Sequence, residues 1–515
     1  MKSNLIQVPR GEEAHTPPLF WRILVTVNSR LLRLLLALSL VLPLVAARAQ
    51  GDPQVIEQVI ENGKNESRFK ADITELIAVF GPRLTGSPQL NASFRWAANK
   101  FEEYGLQNVR LEQWGEVPVQ FYRGERQYGR IVGGPELTFS TPAWSPGTDG
   151  LERGQVVRRP SNEGELAEVA DQLAGAWVLM PDPAPMVGPA RWNPTDLDDQ
   201  IAEYGIAGRV WSSGGPFVHT NGSWRGLDMD NLPSDVRVVI PQVQYRMVEN
   251  RLDNGLSLEM EFDIENVFVE EPMPQYNLIA ELPGATKPDE YVVVCGHLDS
   301  WDGPGTHGAA DNANGSIVAL EAARLLAQAG ARPDRTILFV LWSGEEQGLL
   351  GSRAFVRIHE DKMPRVTAVL NEDAGPNWHG YLYGTENMAD VLSRAIEPMT
   401  DAFEDRPMEF RLTERMWSTG GSDHAPFVWE GVPAPSRGKR GDHPYARIWH
   451  TNLDRLEEIS EMNSIQMSVG TAVLAYNLAS ADNLLPRVPV VEEGLNDRPI
   501  LGILPQYELE SADQE

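Results

Sequence analysis

Residues 291–346 hold the side chains best placed to do chemistry. The stretch "VVVCGHLDSWDGPGTHGAADNANG" is followed, one helical segment later, by "ILFVLWSGEEQG". His297 and Asp299 end one apolar run, Asp311 lies in the Gly/Ala-rich loop after it, and Glu345 and Glu346 end a second apolar run. Imidazole and carboxylate together are ligand types that zinc takes at hydrolytic sites. A carboxylate left outside the metal shell can act as a base. One segment therefore offers a metal cage and a proton acceptor. Acids often follow strands simply because loops are polar, and that would explain any one of these residues. It does not explain the Glu345–Glu346 doublet directly after "FVLW", or His297 and Asp299 on one face of an extended segment.

The elements around these residues must bring them together. Residues 292–295 form a short β-branched run that reads as a buried parallel strand. Residues 314–329 have helical periodicity, with Ile317, Leu320, Ala323, Leu325 and Leu326 as apolar positions. A second strand is predicted over 336–342, a second helix over 346–359, and a third strand over 366–370, followed at once by "NEDAG". Strand–helix–strand–helix–strand implies right-handed crossovers and an α/β fold with a doubly wound, mostly parallel sheet flanked by helices. Ligands of such sheets bind beyond the carboxyl ends of the strands. His297, Glu345, Glu346 and Asp373 all fall just past such an end.

The metal shell is still short of imidazole, so a further ligand is expected downstream from His424, His443 or His450. A substrate amine needs carboxylates, and Asp423 or Glu372 could supply one. A substrate carboxylate needs cations, and Arg437, Lys439, Arg440 and Arg447 form a basic stretch in an otherwise acidic chain. A solvated loop is the plainer reading of that stretch.

The blocks "GHLDSWD", "GAADNANG", "LWSGEEQGLLGS", "NEDAG", "GSDHAPF" and "WHTNLD" resemble those of the co-catalytic zinc exopeptidases of the MH clan. With "GPRLTGS" at 81–87, the chain is most similar to the carboxypeptidase Q branch. The resemblance runs from about 57 to 485 and is weak between 134 and 269. It implies the zinc exopeptidase fold with an inserted, protease-associated-like β-rich domain. It also implies two zinc ions. Asp311 would bridge them, His297 and Asp373 would complete one shell, and Glu346 and His450 the other. Glu345 would be the general base for a metal-bound hydroxide, and Asp299 would hold the far nitrogen of His297. Some relatives carry a tyrosine before the last ligand; here Trp449 stands there, so the oxyanion donor is open. His307 is an additional histidine in a loop longer than expected, read as a rim residue.

The function this implies is hydrolysis near a free N-terminus, by an aminopeptidase or dipeptidase acting on peptides. The alternatives are release of C-terminal residues, as in glutamate carboxypeptidases, a one-metal glutaminyl cyclase-like transferase, or a receptor-like member without catalysis. The last would be marked by lost ligands, and every ligand is present.

The chain has 515 residues, a formal net charge of −29 and one cysteine, Cys295. This charge argues against nucleic acid or an anionic membrane as a partner. Cys295 reads as a small core residue. Residues 31–47 form an apolar run preceded by Arg22 and Arg30, and Ala47-Arg48-Ala49 is an A-x-A cleavage pattern, so 1–49 reads as a signal peptide of a secreted or periplasmic protein. An uncleaved anchor is the alternative; after cleavage no membrane span is expected. The division that follows is 50–133 as the first part of the catalytic domain, 134–269 as the inserted domain, 270–485 as the metallopeptidase domain and 486–515 as an acidic tail. A homodimer is compatible with this organisation.

Overall fold

A computed structural model describes residues 51–182, 194–224, 226–373, 375–416 and 421–490. The expected signal peptide and its cleavage point, and nearly all of the expected tail, lie outside them. The strands are β1 (Gln107–Val117), β2 (Gln120–Ile131), β3 (Leu151–Arg158), β4 (Trp177–Leu179), β5 (Gly208–Ser212), β6 (Arg237–Ile240), β7 (Glu259–Val269), β8 (Met273–Leu282), β9 (Lys287–His297), β10 (Arg335–Trp342), β11 (Val366–Asn371), β12 (Trp378–Gly384), β13 (Glu409–Leu412) and β14 (Arg437–Arg440).

The sheet that carries the site has five strands in the order β1-β8-β10-β9-β11. β9, β10 and β11 run parallel, and β8 and β1 extend the sheet antiparallel. These parallel strands are almost unbroken apolar runs because both faces are covered. All eight residues of β10 are buried. In β9, Val292, Val293, Val294 and Cys295 are fully buried. The helix Asn314–Gln328 links β9 to β10 and packs against Pro53–Asn65, Phe69–Phe80 and Glu461–Ala479. Glu461–Ala479 is buried on every side from Asn463 onward, as a central core helix should be. The helix Leu350–Ile358 links β10 to β11 and packs against Ala425–Trp429.

Chain order is β9, β10, β11, but β9 lies in the middle. The two right-handed crossovers therefore wind in opposite directions and open a crevice at the carboxyl end of β9. Register fixes what reaches it. His297 pairs with Trp342, and Cys295 with Asn371, so the residues after all three strands emerge at one edge. The approach is close. A Cβ on Gly315, in the first turn of its helix, would lie 2.0 Å from the carbonyl oxygen of Glu372.

The predicted helix 346–359 starts later, at Leu350. Gly344 (φ 73°), Gly348 (φ 111°) and Leu349 (φ 63°) turn the chain first. The amides of Gly348 and Leu349 both donate to the carbonyl of Glu345. Glu345 and Glu346 thus stand in a turn at the sheet edge.

A six-stranded sheet, β2-β7-β3-β4-β5-β6, forms a separate layer. It begins at Gln120, and β2 pairs along β7 from Val269 to Met260. The segment expected to be β-rich also holds the helices Glu163–Leu173, Asp196–Glu203 and Gln242–Asp253. Alternation along the strands sorts them to two faces. Val156, Leu179, Val210 and Val238 pack with Tyr245 and Val248 of the last helix. Val157, Val178 and Trp211 pack with Leu166, Leu173 and Ile201 of the other two. A third cluster, including Val117, Phe121, Trp144, Trp224 and Trp301, joins this layer to the body.

Candidate active site

His297 ends β9 with its side chain fully buried. Its Nε2 lies 3.3 Å from Asp311 Oδ1, 3.5 Å from Asp373 Oδ1 and 4.0 Å from Glu345 Oε2. Across Asp311, His450 Nε2 lies 3.1 Å from Asp311 Oδ2 and 3.0 Å from Glu346 Oε2. The two oxygens of one carboxylate therefore face two different imidazoles. Of the three histidines considered for the missing ligand, His450 is the one at this cluster.

Several neighbours aim these groups. The Asp454 carboxylate accepts hydrogen bonds from the amides of Ala310 (2.5 Å) and Asp311 (3.2 Å), which fixes the loop at Asp311. The Ser422 hydroxyl donates to Asp373. His297 Nδ1 donates to the backbone carbonyl of Asp299 at 2.9 Å, while the Asp299 carboxylate is 3.7 Å away. The expected tautomer control thus comes from the main chain of Asp299. Its carboxylate instead accepts from the Thr85 hydroxyl (2.7 Å) and from the amides of Glu345 and Glu346 (both 3.3 Å). With Nδ1 protonated, Nε2 presents a lone pair to the cluster.

The loop 81–87 braces the segment that follows His297. Arg83 is buried and spends its guanidinium on the carbonyls of Leu298 (2.8 Å), Gly81 (2.7 Å), His307 (3.3 Å) and Gly308 (2.7 Å). His307 is half-buried and its Nδ1 accepts from the amide of Leu456, so it ties two loops together.

The electrostatics call for a cation. Burial pushes Glu346 and Asp454 up to about 7 and Asp423 up to about 8; the imidazoles, Ser352 and backbone amides only partly offset this. Burial alone would lower His297, but Glu345 and Asp373 beside it raise it well above its usual value. Burial would likewise lower His450, but Glu346 and Asp311 carry it to about 10. Left to themselves these acids would have to retain protons. Among the described residues, His297 Nε2 and Glu346 Oε1 are buried without a hydrogen-bond partner. Lone pairs aimed at one another in a buried pocket fit divalent metal ions. Ligand-capable atoms of His297, Glu345 and Asp373, and of His297, Asp311 and Glu346, lie within 4.8 Å of one another in two such groups.

Other expected residues have different tasks. Glu372 is engaged by Arg437, His379 and Thr471. Asp423 accepts from the Ser352 hydroxyl at 2.5 Å, and among the described residues its Oδ2 has no hydrogen-bond partner. Trp449 is 42% exposed and stacks on the His450 ring at 3.9 Å. Tyr445 was missed in the sequence. Burial and four nearby carboxylates (Asp311, Asp373, Asp454, Glu346) raise its phenol well above the usual value, so it stays a donor. Asp454 sits inside the quoted block "WHTNLD", and that position was the available signal.

Residues 277–474 match the model of peptidase family M28. Over that stretch the chain is similar to the M28 peptidases. Carboxypeptidase Q of Mus musculus is 26% identical over 442 residues, covering 82% of this chain and 88% of its own length. The Xenopus laevis protein of the same name is 27% identical over 444 residues, covering 83% and 89%. Among solved structures, the peptidase M28 precursor of Shewanella amazonensis SB2B superposes with a TM-score of 0.64 at 23% identity, over 84% of this chain and 98% of that one. BSAP, a zinc aminopeptidase from Bacillus subtilis, gives 0.53 at 19% identity, over 81% and 98%. The structural likenesses show the fold of the M28 peptidase. With the family match and the carboxypeptidase Q relatives, they support a metallo-exopeptidase. No described helix is long and apolar enough to cross a membrane.

Proposed function

We propose that the protein is a two-zinc exopeptidase that cleaves dipeptides or short peptides at a free amino end. The observation that carries this reading is Asp311, whose Oδ1 faces His297 at 3.3 Å and whose Oδ2 faces His450 at 3.1 Å. In it, Asp311 serves both ions, His297 and Asp373 hold one, and Glu346 and His450 hold the other. Such a pair, when bound, polarises the scissile carbonyl and brings a water's pKa toward ~7. Glu345 takes the proton of the attacking water and passes it to the leaving amine. Its place supports this: it neighbours Glu346 in the turn, and its Oε2 is the farthest of the three carboxylates from His297 Nε2, at 4.0 Å. The six-stranded layer, 120–269, narrows access to the crevice. The apolar run 31–47 and the A-x-A pattern support export.

The choice of terminus follows from charge. Arg437 is withdrawn into its ion pair with Glu372. Glu345 and Asp423, which the two metal shells leave unused, can ionise beside a protonated amine and disfavour a carboxylate there. The carboxypeptidase Q relatives favour the opposite reading, release from the C-terminal side. Acetylating the amine of a good dipeptide substrate decides between them. The amino-end reading requires kcat/KM to collapse; equal cleavage of the blocked substrate would establish the carboxypeptidase direction.

A further inference from the structure

The backbone at His450 has φ 53°, in the left-handed region. A non-glycine residue stays there when its surroundings hold it. Part of that hold is local, since the Thr451 hydroxyl donates to the carbonyls of Arg447 and Ile448 at 2.9 Å each. The rest comes from the other layer. The connection between β5 and β6 sends residues 218–220 across the crevice to run antiparallel to 450–452. The amide of Thr220 donates to the carbonyl of His450 at 2.9 Å, and the amide of Asn452 to the carbonyl of Val218 at 3.1 Å. The amide of Val218 donates to Asn452 Oδ1 at 3.3 Å, and His219 stands opposite Thr451. Val218, Thr220 and Thr451 are buried, so water does not compete for these bonds.

The strip is anchored behind. Ser140 exchanges two backbone hydrogen bonds with Val239 of β6, at 3.0 and 2.8 Å, and its hydroxyl donates to the carbonyl of His219 at 2.8 Å. Ser140 is fully buried. A continuous hydrogen-bonded path thus leads from the edge of the six-stranded sheet to His450. The same layer also grips the loop between His297 and Asp311. Arg123 of β2 pairs with Asp302 at 3.1 Å, and a Cβ on Gly303 would meet Thr220 Cγ2 at 2.5 Å.

We infer that the six-stranded layer is a working part of the metal centre: through Ser140 and residues 218–220 it holds His450 where it can reach Asp311 and Glu346. This rests on the ligand assignment proposed above. The layer is then more than a cover over the crevice, and Ser140 and Thr220 are positioning residues for a ligand they do not touch through its ring. Displacing the strip would loosen the ion on the His450 side and leave the ion on the Asp373 side in place.

The test is zinc competition against a chromophoric chelator on the full chain, resolving two dissociation constants. Thr220→Pro removes the amide that donates to His450, and Ser140→Ala removes the hydroxyl behind it. Each should weaken one zinc by about 10–100-fold, the usual effect of losing an outer partner of a ligand. The other zinc should bind as in the parent, and activity should return with excess zinc. Parent affinity at both sites in a variant with an unchanged melting curve overturns the inference. If Thr220→Pro does not fold, Ser140→Ala decides on the same criterion. His450→Ala separates the two claims: it must lose one zinc, and if it keeps both, the ligand assignment itself fails.

Discussion

Arg437 and Glu372 form an ion pair inside the protein, beside the candidate ligand Asp373, with side-chain exposures of 2% and 1%. Thr471 donates to the same Glu372 oxygen, and His379 Nε2 lies 3.0 Å from the other. Burial would raise Glu372, but Arg437 and His379 overcome it and hold the carboxyl well below its usual range. Burial lowers the neighbouring Lys439 to about 8. Arg437 is therefore neither a solvated loop residue nor free to clamp a substrate carboxylate. Arg437 is built into the core under the sheet edge, Lys439 is half-buried and donates to Met467 Sδ, and Arg447 packs over Phe217.

Arg437→Met should be severely destabilising, because it strands Glu372 as a buried charge. Removing one member of a buried pair costs about 3–5 kcal/mol. Urea unfolding measures it, and adding Glu372→Gln should recover part of the loss. A cost below ~1 kcal/mol for the single variant would show that the pair does not support the fold.

Glu345→Gln should retain both metals and lose turnover by about 10²–10⁴-fold, the range for a general base. Glu346→Gln should instead weaken one metal, because Glu346 Oε2 faces His450 at 3.0 Å. Zinc content and kcat measured side by side separate the two. Near-parent kcat in Glu345→Gln would place the base elsewhere.

Protein purified without chelator should contain two zinc ions per chain by elemental analysis. Chelation should abolish activity, and zinc should restore it. One ion with full activity would remove the bridging role of Asp311 and favour a one-metal enzyme.

Acid should weaken the six-stranded layer through Asp198. Burial raises this carboxyl, but Arg159 and the Thr195 hydrogen bonds prevail and hold it at about 2. Its folded pKa is thus below the unfolded value of ~3.9. The stability it contributes is present above that value and drains away as pH falls toward 2. The stability gap between the parent and Asp198→Asn should be widest near pH 7, shrink below about pH 4 and close as pH falls through about 2. A gap independent of pH across that window would refute the assignment.

The sequence by itself determined the chemistry and its scaffold. The β-branched runs of β9, β10 and β11 and the helix Asn314–Gln328 were legible because burial on both faces leaves an apolar signature that polar loops interrupt. His297, Asp311, Glu345, Glu346 and Asp373 were legible because a strand end followed by ligand types needs only local sequence. The helices of the six-stranded layer were not legible. Their short apolar faces are set by packing on strands distant in sequence, such as Val248 against Val210.

Tertiary structure alone decided which groups meet. That Arg437 turns inward to Glu372 and that residues 218–220 support His450 are contacts across long sequence separations. Each depends on chain crossings and on which buried charge finds a partner, and neither quantity is written in a local pattern. Residue type fixes what a side chain can do; only the packed chain fixes what it faces.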